Sequence, residues 1–518
     1  VSLAETLLFA APLLPLAFAM LSLVPRLRPM QLRLLWLAPL PGLAAALLLP
    51  AGMVAPIPGM LLGAGLMLDT LGRLFLGMTS LIWLAAGWHA MRSIRARPAS
   101  FSGFWLLTLA GNMLAIVSGD VVSFYLGFAM LSLAAWGLVI HSGTPEARRA
   151  GRVYIRLAVL GETMLVMAMM FGAATAGSVV TAEVQAALGT VPDRGLAIGL
   201  LIAGFGIKAG LMPLHVWLPL AHPAAPVPAS AVLSGAIVKA GILGLMRFLP
   251  FEAGAPAWGE AMLAAGLATS FLGALFGMTQ ARAKTALAYS TLSQMGLLVA
   301  ALGAGLLVPS SPETIALLLG AVGLYALHHG LAKAALFLAV DAIPGRGRWA
   351  QVLALVTALG VAGLPLSGGA LAKAAIKPAV GDGTVLWLFA FSAVTTTILM
   401  LHAWRLIVRT EPKAEALPPA LPFALLATAA PLATWGVGIV IGMASAAEAL
   451  SLPKLVDAAW PVAAGSALFL IAIRAGWRWP RRVPEGDLVL AYEAMGRWLW
   501  LRMATALLLG AEPRRNVA

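Results

Sequence analysis

Apolar runs of about twenty residues follow one another along almost the whole chain, separated by short loops. Few folds accommodate such a pattern. In hydrocarbon every backbone N–H and C=O must find a partner within the protein, which restricts a spanning segment to a helix or a closed barrel. Runs of this length predict helices. We read roughly fifteen of them, at 4–24, 32–52, 70–91, 101–118, 121–142, 153–176, 194–211, 228–249, 257–279, 286–306, 313–341, 350–380, 384–406, 418–446 and 458–475. The composition agrees, with 61% hydrophobic and only 10% charged residues, where soluble chains carry about 25%. The first run lacks a basic leader and a small-residue cleavage site, and reads as a retained span. The expected fold class is an all-α polytopic membrane protein in contact with a lipid bilayer.

The loops set an orientation. Basic residues follow the odd-numbered runs: Arg26, Arg28 and Arg33 the first, Arg92, Arg95 and Arg97 the third, Arg148, Arg149 and Arg152 the fifth. Arg282 and Lys284 follow the ninth, Arg346 and Arg348 the eleventh, Arg405, Arg409 and Lys413 the thirteenth, and Arg478, Arg481 and Arg482 the fifteenth. Residues 53–68, after the second run, contain neither Lys nor Arg. This alternation puts the N-terminus outside and the C-terminal tail in the cytoplasm of a multi-pass inner-membrane protein. It also accounts for the net charge of +14 without nucleic acid. The absence of cysteine excludes disulfides, thiolate-held iron–sulfur clusters and cysteine zinc sites. No dinucleotide fingerprint and no paired haem histidines are present, so no cofactor or metal is expected and any redox chemistry belongs to partners.

Two runs are interrupted. The seventh breaks near Pro213, just after Lys208, and the twelfth breaks at Gly363-Leu364-Pro365-Leu366-Ser367-Gly368-Gly369, just before Lys373. A break at membrane depth survives only where protein or a wet cavity satisfies the freed backbone. The breaks lie five runs apart, so two five-helix units, 101–250 and 251–410, would have opposite topology, as in inverted-repeat transporters. Residues 1–100 supply three preceding helices and 411–476 the following ones. The tail, 477–518, starts with Trp477 and Trp479 among arginines and continues as an amphipathic helix at the interface or against a partner rather than as a sixteenth span.

Lysines inside such runs are costly and mark ion or proton paths. Lys208 lies five residues before a break and Lys239 about three turns into the eighth run. Lysine removed from water gives up its proton more readily, so such a group can load and unload near neutral pH. His329 and Lys333 are four apart and share a helix face; His328 does not. His215 and His222 occupy the proline-rich connection after the first break, as path groups or as helix-end hydrogen bonders. Lys373 could instead snorkel to an interface, as Lys377 is expected to. His89, His141 and His402 lie near the ends of runs and read as interface residues.

The block from Lys208 to Lys239 with its string HVWLPLAHPAAP at 215–226, AYSTLSQMG at 288–296, HHGLAKAALFL at 328–338 and GLPLSGGALAK at 363–373 resemble the antiporter-like membrane subunits of respiratory complex I, Mrp-type sodium/proton antiporters and membrane-bound hydrogenases. The similarity covers roughly residues 60–410 and extends to inorganic-carbon uptake systems. It implies a proton-translocating, non-catalytic subunit working with other membrane subunits and with redox or soluble peripheral partners. It implies Lys208 as central lysine of the first half, Lys239 as connecting lysine, His329 and Lys333 as the relay of the second half, and Lys373 as its terminal group. One position departs. The family's fifth span carries a glutamate before its Leu-Ser-Leu motif, where this chain has Ala129. Glu162, in the sixth run, is the candidate replacement, facing Lys208; otherwise it is a structural acid paired with Arg156. A gradient-driven antiporter or carbon-uptake channel, and a structural subunit with a decayed relay, stand as alternatives to a redox-driven pump.

Overall fold

The computed structural model describes residues 2–57, 65–191, 193–381, 383–411, 419–443, 445, 450–477 and, except for 487, 490, 491 and 496, 483–498. Helices form where the apolar runs lie. Helices α1 (Leu3–Met20), α2 (Arg28–Leu34), α3 (Leu40–Leu48), α4 (Thr70–Ser93), α5 (Pro98–Val117), α6 (Val121–Val139), α7 (Pro145–Ala176) and α8 (Thr181–Thr190) precede the first broken span. That span is α9 (Arg194–Ala209) with α10 (Trp217–Ala224). Next come α11 (Val227–Val232) and α12 (Val238–Phe248), joined by a π-turn at Leu233–Ile237. Then follow α13 (Pro256–Met278), α14 (Ala283–Leu306), α15 (Pro312–Ala342), the second broken span α16 (Arg348–Ala362) and α17 (Gly368–Val380), α18 (Thr384–Val408), α19 (Leu421–Val440) and α20 (Leu452–Arg474). Among the described residues, twelve helices are long and apolar enough to cross a membrane. Local signals start several of them: the side chains of Asp69, Asp120, Thr144, Ser311 and Ser367 each accept a first-turn N–H.

The expected pattern of about fifteen helical spans differs from the structure at three places. Met53–Pro56 pairs antiparallel with Gly65–Leu68 as a short hairpin, which the apolar, proline- and glycine-broken sequence there disguises. The expected second span is split into α2 and α3, with Pro39 and Pro41 opening the latter and no long helix between. Helix α8 is an extra short element between α7 and α9. Arg478, Trp479, Arg481 and Arg482 and most of the expected amphipathic tail lie outside the described residues.

Contacts between loops define two faces. On one, His141 Nε2 bonds the Ala96 carbonyl at 3.1 Å, Arg282 pairs with Glu146 at 3.6 Å, His402 Nε2 bonds the Gln280 carbonyl at 2.8 Å, and Trp404 donates to Gln351 O at 3.0 Å. This face gathers the basic loops. Burial pushes the His141 imidazole below the usual histidine range and the Arg97 charge adds to this, against the opposing Ala96 hydrogen bond. On the other face Arg247 donates to Ser118 O at 2.9 Å and pairs with Asp69 at 3.1 Å, while Asp120 accepts from Gly65 N at 3.1 Å and Gln185 reaches Leu249 O at 2.8 Å.

Burial is uneven, and its pattern places the polar interior. The most apolar stretches of the Val227–Phe248 and Ala283–Leu306 helices are wholly buried, against 17% for α20 and 28% for α1. The first two therefore meet only protein. Glycines let neighbouring backbones close up in two places. A Cβ on Gly111 (α5) would lie 2.4 Å from Leu131 N (α6), and one on Gly266 (α13) 2.5 Å from Ala300 N (α14). Both distances are impossible for a real side chain, so the α5–α6 and α13–α14 contacts each depend on glycine.

Candidate functional site

The first break is sealed by protein. Helix α9 ends at Ala209, and Gly210 (φ +82°) takes the left-handed conformation that turns the chain while its N–H caps Gly206 and Ile207. Trp217 Nε1 also donates to Ile207 O, at 2.7 Å. Lys208 sits in the last turn of α9, where the helix dipole favours a cation. It is buried, with Nζ 5.3 Å from the Phe128 ring centroid and 5.7 Å from that of Tyr154. The Tyr154 hydroxyl is committed to Ser132 O at 2.9 Å.

Glu162 lies on the buried face of α7 with Tyr154, Ala158 and Gly161, whereas Arg156 is exposed. Its carboxylate interacts electrostatically with Lys208 and with the Ser132 hydroxyl, four positions after Phe128 on α6, and its Oε2 makes no hydrogen bond. The geometry thus favours the Lys208-facing alternative over a pair with Arg156. Ala129 itself is half-buried on α6.

The centre of the molecule holds a hydrogen-bonded chain. The π-turn at Leu233–Ile237 disturbs the regular ladder, and Lys239 Nζ donates to Ser234 O at 2.5 Å. The Ser234 hydroxyl meets the Thr291 hydroxyl on α14 at 2.7 Å, and Thr291 in turn donates to Leu287 O at 3.0 Å. Lys333 on α15 donates to that same Leu287 oxygen at 2.7 Å and also to the Ser290 hydroxyl. Every side chain in this chain is buried. His222 lies beside it, its ring stacked on Phe337 at 4.4 Å, while Lys333 Nζ lies 5.6 Å from the same Phe337 ring. Lys284, from the basic-loop side, donates to Ala225 O at 2.6 Å at the end of α10. His329 is buried within the electrostatic reach of Lys239, Lys333 and Lys373, and neither of its ring nitrogens makes a hydrogen bond. His215 instead bonds locally, Nδ1 to Pro213 O at 3.2 Å.

The second break mirrors the first in one respect. Lys373, on α17, donates to Ala362 O at 2.6 Å, so its ammonium rests on the C-terminal end of α16. Gly363 (φ +106°) and Leu366 (φ +63°) carry the chain between the two halves. His328 is wedged against this break: a Cβ on Gly369 would lie 3.0 Å from His328 Nε2 and 1.9 Å from Gly360 O, so only glycine fits there. Lys377, expected to snorkel, pairs with Asp457 on α20, both side chains being partly exposed. Lys373, Lys377, Lys454, Asp457 and Tyr325 line a cavity of about 550 Å³. Tyr325 donates to Gln294 Oε1, and Gln294 Nε2 reaches Thr396 at 2.9 Å.

The structure therefore gathers Lys239, Lys333, His222 and His329 at the centre, Lys208 and Glu162 on one flank, and Lys373 with His328 on the other. Sequence reasoning missed Ser234, Ser290, Thr291, Gln294 and Tyr325. For Ser290, Thr291 and Gln294 the only sequence signal was the polar spacing within residues 288–296; Ser234 and Tyr325 had none.

A helical membrane protein with two broken spans and a buried row of lysines and histidines is an ion-translocating architecture. The comparisons with known proteins name the group. Residues 118–399, more than half of the chain, match the family described as NADH:quinone oxidoreductase/Mrp antiporter, transmembrane. The chain belongs to this family. Hydrogenase-4 component B of Escherichia coli is 33% identical over 292 residues, 54% of this chain and 43% of that protein. An Na(+)/H(+) antiporter subunit of Alkalihalophilus pseudofirmus is 26% identical over 61% of this chain and 66% of its own length. Among solved structures, a chain of the Mrp complex from Dietzia sp. DQ12-45-1b superposes with a TM-score of 0.81 at 23% identity, covering 99% of this chain and 61% of that one. A chain of respiratory complex I from Thermus thermophilus gives 0.65 at 23% identity, covering 84% and 98%. The chain spans about half the length of the first curated relatives it matches.

Proposed function

We propose that this chain is a proton-translocating subunit of a multisubunit energy-converting membrane complex, moving H⁺ along the line Glu162–Lys208, Lys239, Lys333 with His329, and Lys373 with His328. The observation that carries this reading is the buried row between two lysines: Lys239 on the Ser234 carbonyl, the Ser234 and Thr291 hydroxyls on each other, and Thr291 and Lys333 both on the Leu287 carbonyl. Nothing about holding a fold requires two buried lysines there, because apolar residues of similar volume would be equally or more stable. Where protein groups leave gaps, between Lys208 and Lys239 and around the histidines, water completes the path.

Charge moves by electrostatics. Unit charges 8 Å apart at an effective dielectric of about 20 interact by roughly 2 kcal/mol, one to two pKa units. Protonating one lysine therefore lowers its neighbour's hold on a proton, and a partner that shifts charge at one end drives transfer along the row. Two inverted five-helix units, 101–250 and 251–410, would frame the row. The reading is supported by the glycine-dependent pairs α5–α6 and α13–α14, each followed by one long helix, α7 or α15, before a broken span, with the short α8 added in the first unit. The basic-loop face would be cytoplasmic in the inner membrane.

Thr291→Val removes a hydroxyl that lies between the two lysines and leaves the Ser234 hydroxyl unpaired, at a cost of about 1–3 kcal/mol; proton flux in vesicles is expected to fall roughly tenfold. Glu162→Gln keeps the shape but not the charge opposite Lys208, and flux is expected to fall about tenfold or more. Unchanged flux would return Glu162 to a structural role. The driving reaction is tested by purifying the tagged chain in mild detergent and identifying its companions by mass spectrometry. Iron–sulfur or flavin subunits are expected for a redox-driven pump. The antiporter subunits among the relatives favour one specific second reading, a gradient-driven exchanger. Recovery of only other antiporter-like membrane subunits, or of a soluble zinc protein, would support that reading instead.

A further inference from the structure

The basic-loop face carries a buried pair outside the lysine row. His89, near the end of α4, is fully buried rather than interfacial, and its Nε2 lies 3.9 Å from Asp341 Oδ2 in the last turn of α15. Neither ring nitrogen of His89 makes a hydrogen bond. Asp341 is 19% exposed, so it is the member of the pair that meets water. Lys333, Phe337 and Asp341 follow at four-residue steps, adjoining positions on α15 that span about 12 Å along its axis. Phe337 interrupts the polar row, but the His222 ring lies flat against it and interacts electrostatically with Lys333. Both His222 nitrogens are buried without a hydrogen-bond partner. Buried polar atoms of this kind are rare without a reason.

We propose that Asp341, positioned by His89, takes up protons from the basic-loop face, and that His222 carries them past Phe337 to Lys333. This rests on the proton-translocating reading above. The Asp341 carboxylate accepts a proton from hydronium and leaves water. The proton passes to a free imidazole nitrogen of His222, whose other nitrogen delivers one to the neutral Lys333 amine. Asp341 returns to carboxylate and Lys333 becomes ammonium, with no other bond made or broken.

The test uses the co-purified complex in vesicles with a pH-sensitive dye. Asp341→Asn is expected to slow proton flux about tenfold at alkaline pH, and acidifying the basic-loop side should restore it, because slow uptake then becomes limited by proton supply. Asp341→Glu should run near the wild-type rate. A loss that neither acidification nor glutamate repairs would mean a structural role and overturn the inference, as would unchanged flux in Asp341→Asn. Lys333→Ala in the same vesicles separates the two levels. If it is silent while Asp341→Asn is normal, only this inference falls. If it runs like the wild type, protons bypass Lys333, and the route proposed above through the centre falls with it.

Discussion

With Lys208 replaced by alanine, proton flux is expected to fall by about two orders of magnitude or more while the complex still assembles. The variant removes the ammonium that lies near Phe128, Tyr154 and Glu162. Alanine offers no proton site, and Glu162, left alone in apolar surroundings, is best accommodated neutral. Stability should follow a different course from flux. Lost methylene packing costs about 2–3 kcal/mol, and the desolvation penalty relieved with the ammonium offsets part of the cost of leaving Glu162 without its partner. The thermal midpoint is therefore expected to fall only modestly. A variant that pumps normally, or one that fails only because it unfolds, would contradict the role assigned to Lys208.

Lys333→Ala should have an equally large effect on flux, for a different reason. Lys333 is the far end of the chain that starts at Lys239, and its ammonium holds Leu287 O and Ser290. Those groups do not depend on it: Ser290 and Thr291 each donate to Leu287 O within α14. The helix should stay intact while the route is cut, giving a drop of about a hundredfold in dye-reported flux with unchanged thermal melting. Flux within a factor of about two of the wild type would mean that protons bypass the centre.

Much of this arrangement was legible in the chain. Apolar length places the helices because lipid leaves the backbone no alternative, and Lys208 and Lys373 stood out because a lysine inside an apolar run is costly. The departure at Ala129 pointed to Glu162, and the structure turns that side chain away from Arg156. What stayed hidden has physical reasons. Serine and threonine in helices usually return their hydroxyl to their own backbone, as Thr291 does to Leu287, so nothing in sequence shows that Thr291 also reaches Ser234 57 residues away. The π-turn beside Lys239 has no composition of its own. His89 and Asp341 meet only because α4 packs on α15, and a histidine near the end of an apolar run looks like an interface residue until its burial is known. Lys377 looked free to snorkel because Asp457, its partner, lies beyond the repeats.

The most direct test of the central claim, that this row works by loading and releasing protons and not by presenting fixed charge, is proton flux in vesicles carrying the complex with Lys333→Arg. Arginine keeps the positive charge and most of the length but does not release its proton in a protein. The account predicts an assembled, silent complex. Wild-type flux from the arginine variant would contradict it.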